Sequence, residues 1–343
     1  MTRSLSPSFA LASFVSLTSL VLAAGCAARS DAADETRATE DSLDGLAVKN
    51  HAVFGGNLDM VDLEGTSGLH RQVAMVRLYD QWGDRGPAAT AGSLMAGGRT
   101  ILQSLKPIGV QFSAITAGTH DAYLTTYMTA LNALGVANGR NVFFTFDHET
   151  DASFTDHGTA AEFVAAWRHI HDLARTAGLT VAAGGRVRFT IIFTSFGFTQ
   201  PSRTAPRVAP LWPGDDVVDQ IGVDAYNFSG CQSGPFNPSK WSDISAHLDP
   251  ALAWINAHMG AKPVFVPEWG TEDDPGTPGR KAQWIDNARA YFDATPQIKA
   301  VLYWSSGGGA GAPAGCDVHL EKATPAGSAI AAMATLGADA HFQ

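Results

Sequence analysis

The feature that most limits how this chain can fold is an alternation. From about residue 51 onward, short apolar runs of strand length recur, with longer segments of helical pattern between them. Strands are expected near 52–57, 73–79, 108–115, 142–147, 188–195, 218–224, 263–267 and 299–304. Helices fit at 122–134, 160–177, 242–259, 281–292 and 326–336. Phe163, Trp167, Ile170 and Leu173 mark the buried face of the second of these. Such a β-then-α succession predicts a single (β/α)8 barrel over residues 51–343. A doubly wound open sheet is the runner-up, but no G-x-G-x-x-G opens the first helix.

Two of the expected strands end in acid. Val142 to Phe146 is β-branched and aromatic, and Asp147, His148, Glu149 and Asp151 follow at once. The run K-P-V-F-V-P-E-W-G from Lys262 to Gly270 has the same design, with Glu268 between Pro267 and Trp269 at its exit. In a parallel barrel, reactive side chains sit where strands leave the core at their C-terminal ends. Either segment alone reads as a strand followed by a solvated loop. Two strand-end glutamates, on the fourth and seventh strands, face each other across a barrel mouth. Glycoside cleavage needs such a pair, one carboxyl protonated and one ionised.

Composition narrows the partners. The chain has 343 residues, enough for one large core, and a formal charge of -10. That sign argues against nucleic acid or an anionic lipid surface and favours a neutral or cationic partner. No apolar run beyond the N-terminal one is long enough to span a membrane. The 8 Trp, 6 Tyr and 18 Phe are ordinary core material, yet several fall near strand ends where sugar rings could stack. Nothing signals an oligomer, and a monomer is expected.

The N-terminus reads as an export signal. Arg3 precedes an apolar stretch from Phe9 to Ala24, which ends in L-A-A-G-C at Cys26. This resembles the lipobox of bacterial lipoproteins, although Ala23 stands where that motif usually has Leu. Residues 1–26 are therefore expected to be a lipoprotein-type signal, with Cys26 as the lipidated residue and the lipid as the only membrane contact. Residues 27–50, rich in Ala, Asp, Glu, Ser and Thr, are expected to be a flexible acidic tether. Cys231 and Cys316 then remain, either as a disulfide between neighbouring loops or as two free thiols.

Three segments together carry a family resemblance. They are H-E at His148 and Glu149, W-P-G-D-D-V-V-D-Q-I-G-V-D-A-Y-N at Trp212 to Asn227, and P-E-W-G at Pro267 to Gly270. The chain from residue 51 onward resembles glycoside hydrolase family 26, built mainly of retaining endo-β-1,4-mannanases on the (β/α)8 fold. The resemblance implies Glu149 as acid/base and Glu268 as nucleophile. It implies that Tyr226 hydrogen-bonds the nucleophile, that Trp304 floors the sugar at the cleavage point, and that His148 contacts substrate or holds Glu149. Phe154 falls five residues after the acid/base, where the family often has Trp. Family members usually read H-E-M-N-G, whereas this chain reads H-E-T-D-A, so Asp151 brings an extra charge that leaves the preferred sugar open. Trp269, Asp80, Trp82 and His120 complete the expected substrate contacts, whereas Asp219 and Asp224 are expected to hold loops around the sixth strand.

Other chemistries find less support. There is no G-x-S-x-G for a serine esterase, and H-E lacks the second histidine of H-E-x-x-H. A catalytically silent carbohydrate-binding barrel would lack the glutamate pair. Hydrolysis by two carboxylates needs no metal or cofactor, and none is expected. The expected activity is endo-cleavage of a β-linked polysaccharide, foremost β-1,4-mannan, with another β-glucan or xylan as the alternative.

Overall fold

In the computed structural model, eight parallel strands close into a barrel in sequence order. They are β1 (Val53–Gly56), β2 (Met75–Gln81), β3 (Thr100–Lys106), β4 (Val142–Phe146), β5 (Val187–Thr194), β6 (Gln220–Asn227), β7 (Val264–Thr271) and β8 (Ile298–Tyr303). The structure describes residues 51–342 apart from 66–67, 85, 88, 200–206, 261 and 308–314. The expected signal, Cys26 and the 27–50 tether lie outside the described residues. No helix among the described residues is long and apolar enough to cross a membrane.

Strand alternation divides the core in two. Val53, Met75, Leu102, Phe143, Ile192, Phe265, Ala300 and Leu302 point inward and plug the barrel. The residues between them point outward into the much larger apolar layer beneath the helices. The main covering helices are α1 (Asp121–Asn138), α2 (Ala160–Thr176), α3 (Ile244–His258), α4 (Arg280–Asp293) and α5 (Ser328–Ala338). In α2, Thr159 and Glu162 form a reciprocal capping box, and Phe163, Trp167 and Ile170 are buried beneath it. Gly139, at φ 64°, ends α1 in the left-handed conformation that glycine adopts most cheaply.

The third strand is not where the apolar pattern places it. Residues 108–115 form a turn and the start of the short helix Phe112–Thr116, and Ile108 is exposed. The strand is Thr100–Lys106, whose buried Gln103 and Ser104 break the apolar run. Ser104 faces the barrel interior and Gln103 the outer layer, and together they interrupt the apolar pattern, so the more apolar neighbour misleads.

β7 carries an extra residue. Between two paired positions β7 advances from Phe265 to Trp269 while β6 advances from Gly222 to Ala225, four steps against three. Against β8 it advances from Val266 to Trp269 while β8 advances from Val301 to Tyr303, three steps against two. Pro267, which has no N–H to give the ladder, lies inside this bulge, and Glu268 follows it. Gly222 makes the bulge possible, because a Cβ there would lie 2.7 Å from Ile192 and 2.9 Å from Pro267. A disulfide joins Cys231, after β6, to Cys316, after β8, across 85 positions. By loop closure it restricts the unfolded chain by about 4.6 kcal/mol.

Candidate active site

The chemistry gathers at the C-terminal mouth of the barrel. Inward-facing positions of β2 place Arg77 and Tyr79 there, two residues apart on one face of the strand. β6 contributes Asp224 and Tyr226 by the same rule, and the β7 bulge turns Glu268 inward to meet them.

Glu268 receives three donors. The Tyr79 hydroxyl donates to Oε1 at 2.6 Å, Arg77 Nη1 lies 2.9 Å from the same oxygen, and the Tyr226 hydroxyl donates to Oε2 at 2.6 Å. All three partners donate, and together they fix the direction of its two oxygens. Arg77 is fully buried and also donates to both oxygens of Asp224, at 3.1 and 3.2 Å. Burial opposes its charge, but Asp224 and Glu268 outweigh that and raise its proton affinity. Burial and then the charge of Glu268 likewise raise Tyr226, so its phenol stays protonated and donating.

Glu149 reaches the same point from β4. The chain leaves that strand through two non-glycine residues in the left-handed region, Asp147 at φ 50° and Glu149 at φ 55°. Such backbone persists only where its surroundings enforce it. Lys106, the last residue of β3, does so. Its Nζ lies 2.9 Å from Asp147 Oδ1 and donates to the His148 carbonyl at 2.7 Å, while Thr150 Oγ1 donates to Asp147 Oδ2 at 2.7 Å. Burial, followed by the charge of Glu268, pushes the Glu149 carboxyl up to about 8.

Carboxylate oxygens of Glu149, Asp224 and Glu268 all lie within 4.8 Å of one another. Three acids this close could hold a cation, and the guanidinium of Arg77 already supplies one against two of them. Replacing Arg77 with Met is expected to strand Asp224 and Glu268 as buried charges and to cost about 3–5 kcal/mol of stability. Urea unfolding of the two proteins would measure it; an unchanged midpoint would mean that Arg77 does not balance these acids.

An aromatic group lines the site on the β8 side. Tyr79 stands edge-on to Trp304 at 5.1 Å and to His148 at 5.3 Å between ring centres, and is 37% exposed. Burial, then Arg77 and Lys106, hold His148 well below the ordinary imidazole value, so it is neutral. On the other side a cavity of about 880 Å³ opens from Glu149 and Glu268 over the ends of β5 and β6, with Phe196, Arg207, Phe228 and Lys240 along it.

The structure thus brings together Glu149, Glu268, His148, Tyr226 and Trp304. Several expected contacts lie elsewhere. Asp151 is wholly buried, and its oxygens accept from the backbone N–H of Thr194 at 2.9 Å and from the Thr194 hydroxyl, so it braces β5 instead of touching substrate. Trp269 points outward and is buried against Trp284 and Phe292 of α4, because strand alternation puts it on the face opposite Glu268. Asp80 also points outward and accepts from Tyr127 of α1 at 2.7 Å. Trp82 packs on Tyr123, Phe146 and His120, and Phe154 leans on the apolar layer, so these three residues do not line the cavity. Asp219 is structural as expected, accepting from Phe189 N at 2.7 Å. Asp224 is not a loop brace but part of the charged cluster. Arg77 and Tyr79 are not among the expected site residues, although a charge two residues from a tyrosine inside an apolar strand is the available signal.

No family model matches the chain. Among curated proteins, "Endoglucanase H" of Acetivibrio thermocellus is 24% identical over 206 residues, 58% of this chain and 21% of that protein. "Beta-1,3-xylanase" of Alcaligenes sp. is 22% identical over 240 residues, 66% of this chain and 45% of that protein. The chain therefore spans about a fifth and under half of the lengths of these two curated relatives. Among solved structures, a double mutant of the Cellulomonas fimi endo-β-1,4-mannanase superposes with TM-score 0.56 at 16% identity, covering 90% of this chain and 75% of that one. The catalytic domain of the Bacillus sp. JAMB-750 GH26 endo-β-1,4-mannanase gives 0.55 at 13% identity, covering 86% and 88%. At these identities the likeness establishes the (β/α)8 fold of the chain.

Proposed function

We propose that this protein is a retaining endo-glycoside hydrolase of β-linked polysaccharide, with β-1,4-mannan as its leading substrate. The observation that carries the reading is the Glu149 and Glu268 pair. Their oxygens lie within 4.8 Å, one carboxyl is pushed up to about 8 by burial and like charge, and the other is held by three donors. Retaining enzymes set their carboxyls about 5–5.5 Å apart, whereas inverting ones leave room for a water.

In the first step Glu268 attacks the anomeric carbon while Glu149 gives its proton to the departing glycosidic oxygen. The bond to the leaving chain breaks as the glycosyl-enzyme ester forms. In the second step Glu149, now ionised, takes a proton from water, whose oxygen displaces Glu268. Tyr226, Tyr79 and Arg77 hold Glu268 in line, and Trp304 with Tyr79 offers ring faces to the sugar. Replacing Tyr226 with Phe removes one donor from the nucleophile and is expected to slow kcat by about tenfold, corresponding to one such bond; a parental rate in this variant would show that the contact is idle.

Support for mannan comes from the solved neighbours named as GH26 endo-β-1,4-mannanases. The curated relatives named endoglucanase and β-1,3-xylanase favour the second reading, another β-glycan cleaved by the same chemistry. Reducing-sugar release from mannan, glucomannan, mixed-linkage β-glucan, β-1,3-xylan, β-1,4-xylan and cellulose decides between them, and silence on all six would sink the hydrolase reading. We further propose that the chain is an exported monomer anchored through Cys26. Palmitate label that enters the parent but spares Cys26→Ser tests the anchor, and equal labelling would overturn it.

A further inference from the structure

The cavity arm over β5 and β6 has a chemical character that hydrolysis of a neutral polymer does not require. Its lining carries two cations, Arg207 and Lys240, beside the three acids Glu149, Asp224 and Glu268. Among the described residues neither cation forms an ion pair. Asp151 feels the charge of Arg207, but Thr194 already occupies its oxygens. Arg207 is held in place from two directions. Its backbone N–H donates to the Gly197 carbonyl at 3.0 Å, fixing the chain there, and its guanidinium lies 5.9 Å from the centre of the Phe196 ring. Lys240 runs its stem past Gly230 in the loop that the Cys231 disulfide ties down. Phe228, which also lines the cavity, stacks on Tyr226 at 4.6 Å with an interplanar angle of 11°, a platform suited to the apolar face of a pyranose.

We propose that this arm is a subsite for a sugar bearing a carboxylate, with Arg207 and Lys240 binding the charge and Phe228 the ring. A planar guanidinium and a mobile ammonium suit a carboxylate, and neutral sugar hydroxyls need neither. The overall charge of -10 opposes an acidic polymer at long range. That field is screened within about 10 Å in ordinary salt, and inside the cleft the two cations decide. The substrate class is thus an acidic β-glycan, with uronate on the backbone or on a branch.

This subsite rests on the hydrolase reading, so its test needs one arm that depends on catalysis and one that does not. For catalysis, kcat/KM is measured on the neutral β-glycan that the protein cleaves fastest and on a uronate-bearing form of it, oxidised at C6 for a hexose polymer or branched with glucuronic acid for a xylan. The parent is expected to prefer the uronate-bearing polymer by about tenfold. In Arg207→Gln/Lys240→Gln that ratio should fall to near one, and in the parent it should shrink as salt is raised. A parental ratio of one, or an equal ratio in the double variant, overturns the proposal. For binding, glucuronic-acid-bearing oligosaccharides and their neutral counterparts are titrated calorimetrically into Glu268→Ala, with and without the double substitution. Tighter binding of the acidic oligosaccharide that disappears with the cations supports the subsite even if no polymer is cleaved. Equal binding of the two sugars contradicts it.

Discussion

Glu268→Ala is expected to lower turnover on every susceptible β-glycan by about 10⁴- to 10⁶-fold while the barrel stays folded. The loss follows from the proposed role, because without the carboxylate no glycosyl-enzyme forms. The fold survives because Arg77 keeps its two contacts to Asp224, and the freed Tyr79 and Tyr226 hydroxyls lie at a cleft open to water. Reducing-sugar assays with parent and variant, each checked by circular dichroism, measure it. A folded variant retaining a tenth of the activity would remove Glu268 from the mechanism.

The second large effect belongs to Glu149 and depends on pH. In the proposed role of proton donor it must be protonated, so activity on polymers should fall as pH rises through about 8. Glu149→Ala should lose about 10²- to 10⁴-fold on polysaccharide and should lack that alkaline limb. An aryl glycoside, whose leaving group departs without a proton, should suffer much less in its first step. The folded carboxyl binds its proton more tightly than an ordinary one at 4.5, so its contribution to stability is fully present below that value and is lost as pH rises toward about 8. Glu149→Gln should therefore unfold at a higher temperature than the parent at pH 8, with the difference fading at pH 4. Rate profiles of equal shape in parent and Glu149→Ala would contradict the assignment.

How far the site could be read beforehand depended on where each residue lies in a strand. Glu149 and Glu268 were legible because an apolar run that stops at a carboxylate marks a strand end, and strand ends in this fold meet at one mouth. Arg77 and Tyr79 are not legible in this way, because they lie within a strand, where facing inward depends on a pleat phase that composition does not reveal; Asp224 stands at the end of an expected strand, but nothing in the sequence shows that its partner is Arg77 rather than a loop. Trp269 and Asp151 show the opposite error. Adjacency to a reactive glutamate suggested contact, yet one step along a strand reverses the face, and the turn after Glu149 folds Asp151 down onto Thr194. β3 was misplaced for a related reason. Ser104 and Lys106 are polar because they approach the site, so the functional end of the strand weakened its own signal. Lys106, which braces the turn of Asp147 and His148, was lost with it.

The claim on which everything else depends is double displacement between Glu149 and Glu268. The most direct measurement is the anomeric configuration of the first product, followed by proton NMR in the opening minutes of hydrolysis before mutarotation mixes the anomers. Initial release of the β-anomer from a β-linked substrate is the predicted result. Initial release of the α-anomer would mean a single displacement by water and would contradict the assignment of Glu268 as nucleophile.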